Sequence, residues 1–274
     1  MGPPPGGLLQ AAALGVVQGL TEFLPVSSSG HLILAREVLG IDAGALGLAF
    51  DVACHVGTLA AVVAYFWRDL AAMARAVPEA LSWRPAGDAR RLWLITAGTL
   101  PVIAVGVTAA DVIESRLRAP VVAAVMLALV AVVLLAVERF GRRDRQETSL
   151  GLGEAVLLGC AQAAALVPGV SRSGATIATG MARGLRRDEA ARFSFLLGVP
   201  AILAAAGKEG LVLVSTGFAP GEWQLFVVGA GTSAVVGYAT VAGFLRYLAR
   251  HSLGVFAWYR LAVAAAFAVW FLVR

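Results

Sequence analysis

Long apolar stretches alternate along the chain with short polar ones that carry most of its arginines. A helix that crosses a bilayer needs about 20 predominantly apolar residues. Six stretches reach or approach that length, at about 45–67, 92–110, 119–137, 189–207, 223–245 and 253–273, and each is predicted to be a transmembrane helix. The fourth is the weakest, because Arg192 lies near its start and Lys208-Glu209 closes it. Two further apolar regions are too broken to cross. The first, Leu8–Leu24, is interrupted by Glu22 and stopped by Pro25, and after His31 only a short stretch remains before Asp42. This pattern predicts a re-entrant segment, two half-helices joined by a polar loop that dips into the membrane and returns. Non-helical backbone is tolerated at that depth only where protein or a water-filled cavity surrounds it.

The second broken region repeats the first. A shift of 144 positions lays Leu14–Gly30 over Leu158–Gly174 without a gap, and seven of the 17 positions are identical. Apolar matches are cheap in so hydrophobic a chain. With only five Gln and 12 Ser present, the matches of Gln18 with Gln162, Ser27 with Ser171 and Ser29 with Ser173 carry the signal. We read an internal duplication within a single membrane domain, residues 1–274, with repeat 1 at about 8–138 and repeat 2 at about 150–273.

The positions of the basic residues orient these elements. Loops 68–91, 139–145, 183–192 and 246–250 together hold 15 basic residues, Arg84 among them. The opposite side holds five: Arg36, Arg116, Arg118, Lys208 and Arg274. By the positive-inside rule the first group is cytoplasmic. Three predicted spans separate the two broken regions, so the second copy enters the membrane from the opposite face. The expected fold is therefore an all-α integral membrane protein, an inverted-topology repeat of about six transmembrane helices and two re-entrant segments, with a shared polar site at the repeat interface. The first loop would open to the extracytoplasmic side, where Asp51 and His55, four residues apart on one helix face, could join it.

Composition removes other classes. The chain is 59% hydrophobic and 14% charged, against about 25% charged residues in a typical soluble domain. Its net charge of +5 is made of arginines scattered through loops, without aromatic-interleaved basic patches, so nucleic acid is not an expected partner whereas membrane lipids are. Cys54 and Cys160 both lie in apolar segments, which argues against a disulfide framework or a zinc site. The Met1-Gly-Pro-Pro-Pro start has no basic region, and no cleavable signal peptide is expected.

A carboxylate at membrane depth is a candidate functional group. Glu22 could bind a divalent cation, with the carbonyl of Gln18 as a neutral second ligand, act as a general base, or snorkel to water. The run Val26-Ser27-Ser28-Ser29-Gly30 precedes a helix predicted to open at about Gly30-His31, an arrangement that favours phosphate, although serine there is also an ordinary helix cap. His31 can transfer a proton or attack phosphorus. In the second copy Arg172 replaces Ser28, and its planar guanidinium, flanked by Ser171 and Ser173, suits a phosphate. No Walker or dinucleotide motif sits in a suitable context. Ser29-Gly30-His31 resembles the type 2 phosphatidate-phosphatase superfamily, but that family's second His and Asp do not follow Ser171-Arg172.

Together, Gln18-Gly-Leu-Thr-Glu22-Phe-Leu-Pro-Val-Ser-Ser-Ser-Gly-His31 and Pro168-Gly-Val-Ser-Arg-Ser-Gly-Ala-Thr176 make the sequence resemble the bacterial undecaprenyl-diphosphate phosphatases, the bacitracin-resistance family. The resemblance covers nearly the whole chain. It implies hydrolysis of undecaprenyl diphosphate to the monophosphate carrier used in cell-wall synthesis, with Mg2+ or Ca2+ support, in the bacterial inner membrane and at its extracytoplasmic side. By the same resemblance Glu22 is a metal ligand or base, with Gln18 where many members carry Glu. Ser28 and His31 match catalytic positions, either of which could attack, and Arg172 matches the arginine that holds the diphosphate. Ser27, Ser171, Ser173 and Thr176 become phosphate contacts. A homodimer stays open, and Arg260 is assigned to packing with Tyr259 or a neighbouring acid. The rival class is a transporter or flippase for a lipid phosphate or other anion, since inverted repeats with broken helices also serve transport.

Overall fold

The computed structural model describes residues 6–41, 46–82, 85–109, 112–117, 119–216 and 221–273. All the regular elements are helical: α1 Gly7–Thr21, α2 Ser28–Leu39, α3 Leu48–Tyr65, α4 Trp67–Arg75, α5 Val77–Ala80, α6 Gly87–Thr108, α7 Pro120–Phe140, α8 Leu152–Ala164, α9 Arg172–Ala182, α10 Arg187–Thr216, α11 Glu222–Leu248 and α12 Gly254–Val273. Five of them, α3, α6, α7, α10 and α11, are long and apolar enough to cross a membrane. The chain is a multi-pass membrane protein. The predicted span at 253–273 forms α12, whose described apolar stretch, Gly254–Trp270, is shorter than those of the five.

Both broken regions form pairs of short helices. α1 and α2 flank the first loop and α8 and α9 the second, and each loop is too rich in Pro, Gly and Ser to continue a helix. The second helix of the first pair opens at Ser28, earlier than predicted, and that of the second pair opens at Arg172. In the bundle α1 packs on α11, α8 on α6, α3 against both α10 and α11, and α7 against α12.

Close approach depends on small residues. A Cβ at Gly15 or Gly19 of α1 would collide with the α11 backbone at Gly229 or Ser233. One at Gly159 of α8 would collide with Gly98 of α6. Lipid is as apolar as leucine, so helices associate in membranes by such packing and by hydrogen bonds rather than by a hydrophobic drive. The Ser233 hydroxyl supplies one of these bonds, donating across to the carbonyl of Cys54 at 2.8 Å. Large apolar side chains such as Leu100, Val107, Leu129 and Trp258 face outward, as lipid contact requires.

The basic loops meet at one end of the bundle. There Glu138 binds Arg143 and Arg187 and accepts from the Leu253 amide, while Glu154 joins Arg145 to Arg183. Asp69 receives Arg91 at 3.0 Å and Arg192 at 2.9 Å, which gives the arginine inside the weakest predicted span a partner at its helix start. Arg84, Arg118 and Arg274 lie outside the described residues.

Candidate active site

Glu22 still has helical dihedrals just beyond α1, φ −65° and ψ −40°, so it stacks one turn above Gln18. The chain then bends. Pro25 has no amide hydrogen to donate, and the Val26 amide donates to the carbonyl of Leu24 at 2.7 Å. Ser27, at φ 75°, turns the backbone into α2, and its counterpart Ser171, at φ 71°, turns it into α9. Among the described residues these are the two non-glycine positions with positive φ. Such a conformation costs about 1–3 kcal/mol and persists only where the surroundings enforce it.

These bends aim opposite charges at one point. Glu22 Oε1 accepts from Arg172 Nη2 at 2.7 Å, a contact between the two loops across 150 residues of sequence. Its Oε2 accepts from Ser28 Oγ at 2.7 Å and from Gln18 Nε2 at 3.0 Å, and lies 3.3 Å from His55 Nε2. The Glu22 side chain is 5% exposed and that of Arg172 14%. A buried carboxylate is costly unless paired and hydrogen-bonded, and this one has a guanidinium, an imidazole and two neutral donors around it. The geometry therefore brings Gln18, Glu22, Ser28 and Arg172 together and adds His55, whose Nδ1 contacts the Asp51 carbonyl at 2.7 Å. Asp51 itself forms an ion pair with Arg36.

His31 lies elsewhere. Its Nδ1 faces the Ser27 carbonyl at 2.7 Å and its Nε2 the Tyr259 hydroxyl at 2.8 Å, with the two rings stacked at 5.5 Å. A carbonyl can only accept, so Nδ1 carries the proton and Nε2 accepts from the tyrosine. The remaining hydroxyls have partners inside the protein. Ser27 and Ser29 oxygens lie 3.3 Å apart. Ser171 accepts from the Gly174 amide at 3.1 Å, Ser173 donates to the Leu24 carbonyl at 2.9 Å, and Thr176 bonds the Arg172 carbonyl at 2.7 Å and Ser194 at 2.5 Å.

One assignment made from the sequence is corrected. Among the described residues Arg260 has no acid as a partner and donates to main-chain carbonyls of both loops and α7. Of the two expectations, packing with Tyr259 or a neighbouring acid, the acid is the one not met, because non-helical backbone at this depth supplies carbonyls in its place. Gly198 of α10 escaped sequence reading altogether. A Cβ there would occupy the space of the Arg172 guanidinium, so only glycine lets this arginine lie flat against α10. Nothing distinguishes Gly198 from the other 30 glycines until the packing is seen.

A resident Mg2+ or Ca2+ does not fit these donors. Such ions take about six or more oxygen ligands, carboxylates foremost. Here the cluster offers one carboxylate, both oxygens of which already face hydrogen-bond donors, and one amide carbonyl, Gln18 Oε1, which is buried without a hydrogen-bond partner. Among the described residues no three His, Cys, Asp or Glu side chains converge.

A polytopic helical membrane protein, with two kinked loops that join a carboxylate, a hydroxyl and a guanidinium inside the bundle, is the class defined by this fold and site. Residues 11–266 match the family model described as bacitracin resistance protein BacA, and the chain belongs to that family. A relative from Rubrobacter xylanophilus, named undecaprenyl-diphosphatase, is 49% identical over 94% of this chain and 96% of its own length. Relatives of the same name from Thermomicrobium roseum and Kineococcus radiotolerans are 45% and 44% identical, over 93% and 94% of this chain and 94% and 92% of their own.

Proposed function

We propose that this protein hydrolyses undecaprenyl diphosphate to undecaprenyl phosphate and inorganic phosphate, recycling the lipid carrier of cell-wall synthesis and thereby giving bacitracin resistance. The observation that carries the reading is the hydrogen bond from Ser28 Oγ to Glu22 Oε2 beside the Arg172 guanidinium: a hydroxyl, a base and an anion clamp within one cluster. Transport would need only the clamp, and the names of the relatives also favour hydrolysis over a transporter.

In this reading the isoprenyl tail stays in the bilayer and the diphosphate enters the cluster from the extracytoplasmic side of the inner membrane. Arg172 exchanges its Glu22 oxygen for the oxygens of the terminal phosphoryl group, where charge builds in the transition state. Ser28 Oγ attacks the terminal phosphorus as its proton passes to Glu22. The bridging P–O bond breaks, and its electron pair leaves on undecaprenyl phosphate. Water then cleaves the phosphoserine to inorganic phosphate, and the proton returns to Ser28. Of the two candidate nucleophiles we choose Ser28, because it is bonded to the carboxylate while the free lone pair of His31 faces Tyr259. Any divalent cation enters as part of the substrate, bound to the diphosphate oxygens.

The test is phosphate release from undecaprenyl diphosphate by purified, detergent-solubilised protein, with and without EDTA, for wild type, Ser28→Ala and His31→Gln. Ser28→Ala should lose at least about 1,000-fold in kcat, while His31→Gln should lose far less, on the scale of removing a nucleophile against a positioning group. A wild-type rate in Ser28→Ala would sink the serine assignment. No phosphate release by folded wild-type protein that still binds the lipid would favour the transporter.

A further inference from the structure

Arg260, near the start of α12, is fully buried and is the largest side chain among the described residues to be so. Its guanidinium reaches five carbonyls. Nε donates to Leu127 at 3.1 Å and Nη1 to Pro25 at 3.0 Å, while Nη2 faces Met126 at 3.2 Å, Gly169 at 2.7 Å and Val170 at 3.3 Å. Pro25 and Gly169 are equivalent positions in the 144-residue register, so one side chain holds the same carbonyl of both loops. Both carbonyls belong to backbone that is not helical, and at this depth they need a donor. Three residues after Pro25 comes Ser28, and two after Val170 comes Arg172. The preceding residue, Tyr259, holds His31 in the first turns of α2.

We infer that Tyr259 and Arg260 act together as the positioning pair of the site. Arg260 sets the separation of the two loops, and with it the approach of Ser28 to the phosphorus held by Arg172, while Tyr259 fixes the rotation of α2. The planar fork of arginine is suited to this, because its five N–H groups lie in one plane and diverge toward separate acceptors. Lysine has three donors on one atom and cannot span them. The role rests on the phosphatase reading given above.

The test compares wild type, Arg260→Lys, Tyr259→Phe, Arg172→Ala and the double variant Arg260→Lys/Arg172→Ala for kcat, KM and thermal unfolding in detergent. Misplacement by about 1 Å costs on the order of 100-fold in rate. Arg260→Lys should therefore lose about that factor in kcat with KM within about threefold, and in the Arg172→Ala background it should cost less than about threefold, since nothing is left to align. Wild-type kcat in Arg260→Lys, or an equal loss in both backgrounds, would overturn the inference and leave Arg260 a packing residue. If Arg260→Lys does not fold, Tyr259→Phe decides. A kcat loss of about tenfold at unchanged KM and unfolding temperature supports the pair, and an unchanged kcat refutes it. Absence of phosphate release by the wild type itself would instead overturn the reading on which the pair's role rests.

Discussion

The two loops share a backbone and differ in charge. In each, a serine at positive φ ends the bend, and its carbonyl accepts the amide of the residue four positions on, His31 at 3.2 Å in one and Ala175 at 2.9 Å in the other. In each, the serine hydroxyl lies close to that of the serine two residues later, at 3.3 Å and 3.2 Å. The differences in ionisable groups fall on three aligned positions: Glu22 against Leu166, Ser28 against Arg172 and His31 against Ala175. The first loop therefore holds the acid, the hydroxyl and the imidazole, and the second holds the cation. The two loops share a backbone scaffold, and the chemistry comes from their asymmetry. A symmetric pair of either kind would set like charges together and repel.

The sharpest way to break this comparison is to remove one member of the Glu22–Arg172 pair. Removal of a transition-state arginine in phosphoryl transfer costs about 1,000-fold or more, so Arg172→Ala should lose that much in kcat/KM for phosphate release, and Glu22→Ala a similar factor. Their stabilities should differ. Arg172→Ala leaves Glu22 with His55, Ser28 and Gln18, whereas Glu22→Ala leaves the Arg172 guanidinium buried without its acid, so thermal unfolding should fall further in Glu22→Ala. A smaller effect is expected from Gly198→Ala. It improves helix propensity by about 1 kcal/mol but displaces the arginine, so it should lower kcat about 100-fold, the cost of misplaced catalytic groups, while the fold stays intact. The smallest effect tests the shared backbone. The Ser171 side chain caps α9 and that of Ser27 makes no cap bond to α2. Ser171→Ala should therefore cost about 1 kcal/mol, the usual value of a helix cap, and Ser27→Ala less, both read by thermal unfolding.

The apolar runs, the two broken polar loops and the polar chemistry were legible in the chain because each rests on local pattern. A bilayer demands a run of apolar residues, Pro25 and the Pro168-Gly169 turn break such runs, and Gln18, Glu22, Ser28 and Arg172 stand out as polar groups where polarity is costly. The basic loops assigned to one common side gather at one bundle end. Roles that depend on direction were not legible. His31 follows the loop immediately, yet its ring turns to Tyr259, 228 residues away, and the histidine beside Glu22 is His55 of α3, which its helix face had marked as able to join the loop.

The sequence by itself determined that this is a helical membrane protein with two kinked polar loops of related sequence, because hydrophobic length and Pro/Gly punctuation act over a few residues. Only the tertiary structure decided which polar groups meet. Glu22 meets Arg172 because the loops insert toward each other, Arg172 reaches it because Gly198 has no side chain, and Arg260 binds carbonyls rather than an acid because both loops present unsatisfied backbone to it. Those contacts join residues far apart in the chain, and their distances are set by helix packing, which no local pattern encodes.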